Sequence, residues 1–175
     1  MDIVYYVIDS ASGAPLRADI RTAERSDYLK TVQEHWQTKW TSKFIQQQSL
    51  QKYALKVAAT GELVGLGAYR DMPEGVIVYV EYIESAPHSN PTQTHGSKKY
   101  RGIGAALLAF GIQLSVDRGY GGTIYLKAKT SELREHYMQD FGAFPFSRLD
   151  PYLLMLEGEA AQALFSQYLV EVDEF

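Results

Sequence analysis

The 175-residue sequence contains no cysteine, which excludes disulfides, thiolate metal sites and a cysteine nucleophile. It has no apolar run of about 18 residues, the length a membrane-spanning helix needs, so no membrane partner is expected. Residues 1–12 lack a basic stretch followed by a long apolar run, so no signal peptide is expected. Together with the missing cysteines this fits a reducing cytoplasm. Histidine is scarce. His35, His88, His95 and His136 show no metal-ligand spacing, and no metal is expected. There is no Gly-x-Ser-x-Gly elbow for a serine hydrolase. Nor is there an excess of positive charge. The formal net charge is -4, which suits nucleic acid poorly and a cationic substrate such as an amine slightly better.

The length favours one domain over residues 1–175, since two would be small for separate cores. Thirteen tyrosines supply rings that pack and hydroxyls that can meet a polar ligand. Residues 3–8 form a β-branched and aromatic run that predicts a strand, followed by a turn over 10–15. Helices are expected over 22–36, with Leu29, Val32 and Trp36 sharing a face, and over 41–51. Strands over 53–59 and 63–69 flank Thr60-Gly61-Glu62 as a hairpin. After a turn at 70–75, a long strand covers 76–84. Residues 85–99 form a loop. A helix over 102–118 buries Ile103, Leu107, Phe110 and Leu114, and Gly119, Gly121 and Gly122 stop it. A strand over 123–128, a helix over 132–141, a strand over 152–156 and a helix over 159–170 complete the chain. The order implies an α+β (α/β) domain with a mixed central sheet flanked by helices.

The most informative segment is Lys98-Lys99-Tyr100-Arg101-Gly102-Ile103-Gly104-Ala105, placed where a helix begins. Glycines let successive N–H groups point into one concavity. The new helix adds unpaired donors and the positive end of its dipole. This makes an anion site suited to a pyrophosphate, with Lys98, Lys99 and Arg101 adding charge nearby. It is not a Walker loop, because no Gly-x4-Gly-Lys-Ser/Thr is present. It is not the dinucleotide fingerprint, because Leu107 stands where Gly or Ala is required.

The segment resembles the acetyl-CoA signature of the GCN5-related N-acetyltransferases (GNAT), Arg/Gln-x-x-Gly-x-Gly/Ala. Lys99 stands where Arg or Gln is usual, keeping charge without the planar fork. The resemblance extends over about 53–156, with the hairpin, the long strand and the strand over 123–128 in family order. Ile83-Glu84-Ser85-Ala86-Pro87 is similar to a bacterial subgroup of that family. The resemblance implies a GNAT-like fold and acetyl-CoA bound by Lys99, Tyr100, Arg101, Gly102, Ile103, Gly104 and Ala105. It also implies direct acetyl transfer to a primary amine of a small molecule or peptide in a ternary complex.

Such transfer needs a base for the amine, donors for the oxyanion and an acid for the leaving thiolate. The base candidates are Glu84 and Glu81, favoured in that order. Their odd spacing puts them on opposite faces of a regular strand unless a bulge intervenes. By resemblance, Tyr137 is the acid, although it precedes Gly142 by five residues where four is usual. His88 and Asn90 read as loop residues or as part of the cleft. The departures near Tyr137 keep open a non-catalytic acyl-CoA-binding or sensing domain. An RNA-directed acetyltransferase is disfavoured by the acidic charge. Tyrosine- and phenylalanine-rich surfaces would permit a homodimer without demanding one.

Overall fold

The computed structural model describes residues 1–94 and 96–171; His95 and 172–175 lie outside the described residues. Eleven strands and five α-helices follow one another among the described residues. They are β1 (Asp2–Ile3), β2 (Tyr5–Asp9), β3 (Pro15–Thr22), α1 (Arg25–Gln33), β4 (Leu50–Val57), β5 (Leu63–Met72) and β6 (Ile77–Ser85). Then come α2 (Pro91–Thr94), β7 (Tyr100–Arg101), α3 (Ile103–Asp117), β8 (Ile124–Lys127), α4 (Ser131–Phe141), β9 (Phe144–Pro145), β10 (Leu153–Leu156), α5 (Gly158–Ser166) and β11 (Leu169–Val170).

Nine strands build one sheet in the order β7-β2-β3-β4-β5-β6-β8-β10-β9. Every neighbouring pair is antiparallel except β6–β8. A parallel pair needs a long crossover, and the 86–123 connection with α3 supplies it. Residues 106–112 of α3 are all buried, so this helix is enclosed rather than one-faced. One side lies on β5 and β6, and Ala161 and Leu164 of α5 join the same core. A second, smaller core occupies the opposite sheet face, where Trp36, Trp40 and Ile45 meet Ala54, Leu66, Ala68 and Ala86. No helix among the described residues is long and apolar enough to cross a membrane.

The first third departs from expectation. The helix expected over 22–36 is confined to α1. It turns Leu29 (46% exposed) and Val32 (57% exposed) outward and buries Asp27 and Thr31 instead. Asp27 caps the Glu24 N–H and pairs with Lys56 at 2.8 Å, so polar anchoring outweighs the apolar spacing. No helix forms over 41–51. Residues 41–49 are a string of turns and bends and 50–51 open β4, with Ile45 and the preceding Trp40 filling the second core and Gln46 Nε2 donating to the Trp40 carbonyl. β3, absent from the sequence reading, pairs with β2 and β4. β5 continues through the expected 70–75 turn as far as Met72. The closing helix stops at Ser166, and Leu169–Val170 pairs with β1.

Close contact between α3 and the sheet depends on Tyr69. Its ring is fully buried, and its hydroxyl donates to the Leu107 carbonyl at 2.7 Å. The ring lies over Gly67, where a Cβ would meet the phenol oxygen at 2.5 Å, and beside Gly111, where a Cβ would meet the ring at 3.2 Å. A ring bonded to a helix carbonyl cannot yield to an added methyl. Gly67→Ala should therefore destabilise the protein by about 1–3 kcal/mol, read as a lower urea midpoint at unchanged m-value.

Candidate active site

The glycine turn sits between β7 and α3. Ile8 and Asp9 of β2 pair with Arg101 and Tyr100 and hold the approach to it. Gly102 is the N-cap at φ +82°, with no side-chain cap, a conformation that glycine adopts without a Cβ penalty. A Cβ built on Gly102 or Gly104 meets nothing within 4 Å, so the space above the turn is open. The first helical bond runs from Ala106 N–H to the Gly102 carbonyl. The N–H groups of residues 103–105 meet no acceptor among the described residues. This donor set suits a phosphate group.

The basic side chains divide. Arg101 is exposed and forms no ion pair among the described residues. Lys99 and Tyr100 turn aside to Glu62. Lys99 Nζ donates to Glu62 Oε1 at 2.8 Å and the Tyr100 hydroxyl to Oε2 at 2.6 Å. His88 Nε2 lies 3.3 Å from Oε1. Burial pushes the Glu62 carboxyl up, but the bonds from Lys99 and Tyr100 outweigh it and hold the group below its ordinary value. Their anchoring role gives Lys99 and Tyr100 the task of fixing the turn. Glu62 escaped the sequence reading because a glutamate after Thr60-Gly61 reads as an ordinary hairpin charge.

Next to the turn, β6 and β8 part. Their parallel ladder covers only Val78↔Ile124, Tyr79↔Tyr125 and Val80↔Leu126. At the same level β6 carries an extra residue, because Tyr69 faces Val80 while Ala68 faces Tyr82. That extra residue is Glu81. A cleft of about 50 Å³ opens where the strands diverge, between residues 80–83 of β6 and Leu126, Lys127 and Lys129, with Leu133 and Tyr137 of α4 against it. A wider hollow of about 580 Å³ lies along α4, lined by residues such as Glu132, Glu135 and Tyr152. None of the candidate residues reaches it.

Glu81 and Tyr137 both line the cleft. Glu81 Oε2 is 3.5 Å from Arg70 Nε. Because Arg70 stands opposite Tyr79, Glu81 lies on the sheet face away from α3. Tyr137 is half-buried, and desolvation pushes its phenol up. Its ring stacks on Phe141 with centroids 6.4 Å apart. Glu84 is elsewhere. The bulge brings it to the same sheet face as Glu81, but its side chain points under the 34–49 segment. Its carboxylate accepts Gln37 N–H at 2.8 Å, Thr38 N–H at 3.1 Å and Trp40 Nε1–H at 2.9 Å. Asn90 holds Thr92 through its Oδ1 and donates to Gln37, while His88 faces Glu62.

The sequence matches no family model and no curated protein. Solved structures do match. An acetyltransferase of the GNAT family from Listeria monocytogenes superposes with a TM-score of 0.58 at 16% identity, covering 88% of this chain and 100% of that one. Mycobacterium smegmatis RimJ in complex with CoA-disulfide gives 0.56 at 15%, covering 95% and 94%. Aminoglycoside acetyltransferase AAC(6')-Ib in complex with coenzyme A and kanamycin gives 0.55 at 13%, covering 83% and 98%. The chain has the GNAT fold.

In this GNAT fold the two glutamates of β6 occupy different surroundings. The Glu84 carboxylate is buried and saturated by donors from the 34–49 segment. Removing a buried acceptor leaves its donors unpaired at 1–3 kcal/mol each. Glu84→Ala should lower stability by roughly 3 kcal/mol, and Glu84→Gln by less. Both tryptophans of the chain, Trp36 and Trp40, lie in the adjoining core. Tryptophan emission during urea unfolding therefore reads this loss directly.

Proposed function

We propose that the protein is an acetyl-CoA-dependent N-acetyltransferase acting on a primary amine of a small molecule or peptide in a ternary complex. The observation that supports this best is the parting of the one parallel strand pair beside an uncapped glycine turn. The N–H groups of residues 103–105 would hold the pyrophosphate, with Arg101 adding charge, while Lys99 and Tyr100 hold the turn through Glu62. The residues present fit this group, because the space over Gly102 and Gly104 is open.

Bound acetyl-CoA supplies an activated acyl carbonyl on a thioester sulfur. Glu81, aligned by Arg70, takes the ammonium proton directly or through water and passes it to solvent. The β6 edge beyond Val80 offers backbone N–H groups to the developing oxyanion. Tyr137 keeps its proton because its phenol is pushed up. Its Oη gives that proton to the sulfur as the C–S bond breaks, and regains one from the nitrogen after the C–N bond has formed. The products are an amide and a thiol. Glu84 acts only as the anchor of the 34–49 wall.

Two tests follow. Gly104 has an ordinary backbone conformation and open space around its Cβ direction, so Gly104→Glu leaves the fold intact and fills the cradle. Calorimetric titration with acetyl-CoA should show micromolar binding by the native protein, weakened at least roughly tenfold in the variant. Absence of binding by the native protein ends this reading. In a thiol-release assay, Glu81→Gln and Tyr137→Phe should each lower kcat by about 10²-fold or more with acetyl-CoA affinity kept. Tight binding without any turnover would instead favour a sensing domain.

A further inference from the structure

The cleft is lined by β6, β8 and α4, and its residue Tyr82 reaches the sheet face away from α3, where it meets the 34–49 segment. The carboxylates on or beside the cleft are already occupied. Glu81 is paired with Arg70 at 3.5 Å. Asp150 is paired with Lys127 at 2.9 Å and accepts the Tyr152 N–H at 3.0 Å. Glu84 is saturated by three donors of the wall. One charge on the cleft is left over. Lys129 is exposed, lines the cleft and has no carboxylate partner among the described residues. Its Nζ lies 5.9 Å from the centre of the Tyr82 ring.

The rest of this surface is aromatic. Tyr82 meets Trp40 and Phe44 edge to face at 6.5 and 6.2 Å. Phe44 is 50% exposed, so its ring extends the aromatic surface outward from Tyr82 of the cleft. On the β8 side Tyr125 stacks on Phe146 at 4.4 Å. Beyond Glu81, which the reaction uses, a polyamine would find two lysines on the cleft lining and no second carboxylate there to replace its water, an electrostatic mismatch that costs affinity. The negative net charge of the chain does not extend to this cleft.

Resting on the acetyltransferase reading, we infer that the acceptor is an amine with an aromatic or apolar body and one anionic group. The body lies against Tyr82 and Phe44, and Lys129 receives the anion. Lys129 is thus a specificity-determining residue, separate from the groups that move protons.

The test uses the whole chain with acetyl-CoA, thiol release as readout, and three amines: phenylalanine, phenethylamine and spermidine. The expected order of kcat/KM is phenylalanine, then phenethylamine, then spermidine. The carboxylate should add about tenfold, as one charge-assisted bond does. Lys129→Glu should cut the phenylalanine-to-phenethylamine ratio by at least that factor, and Lys129→Arg should preserve it. Turnover that favours spermidine, or a ratio unmoved by Lys129→Glu, overturns this inference and leaves the acetyltransferase reading standing. No thiol release with any amine while calorimetry shows bound acetyl-CoA overturns both.

Discussion

A parallel ladder cannot run on unchanged past an inserted residue in one of its strands. β6 has one more residue than β5 requires, and the surplus falls at Glu81, the level at which β6 leaves β8. Bulges bend and twist the strand that carries them and end regular pairing. Here the bend creates the cleft, puts a carboxylate on its wall and frees the β6 edge. The α3 crossover then sets the glycine turn beside the opening, because the helix that joins two parallel strands must return over the sheet. Site and topology thus share one origin.

The strongest local signals were readable in the sequence. The glycine turn, the hairpin over β4 and β5, the long β6 and the existence of α3 each carry their own pattern of β-branched residues, turn residues, glycine or apolar spacing, although the spacing implied one buried face on α3 and the helix is enclosed. The bulge was not readable, because it is a mismatch between two strands and belongs to neither alone. The same holds for Glu84, whose partners lie 44 to 47 residues away and include two backbone N–H groups, a kind of donor that every residue type but proline offers. Glu62 was hidden for a similar reason, since Lys99 and Tyr100 join it from 37 and 38 residues along the chain. The 34–49 segment defeated pattern reading because its aromatic residues fill a small separate core without helical recurrence.

The run Ile83-Glu84-Ser85-Ala86-Pro87 acquires a structural sense from these contacts. Glu84 anchors the wall and Ala86 is buried beneath it. Pro87 opens a short 3₁₀ turn, whose Ser89 hydroxyl accepts the Tyr100 N–H at 3.0 Å. The run therefore joins the 34–49 segment to the strand that leads into the glycine turn. Its place nearest the loop that leads to the glycine turn favoured Glu84 as the base in the sequence, whereas its contacts describe a joint between the 34–49 segment and β6.

The Glu62 cluster links this joint to proton concentration. A carboxyl whose folded value is depressed stabilises the native state in full only above its unfolded value, near 4.3. That contribution is lost as pH falls through the lower folded value. Protonation would remove the charge that holds Lys99 and Tyr100, two residues immediately before the turn. Only acid strong enough to protonate this depressed carboxyl loosens the mooring of the turn, whereas the apolar core under α3 carries no such charge: the molecule has an acid-labile latch on an apolar frame.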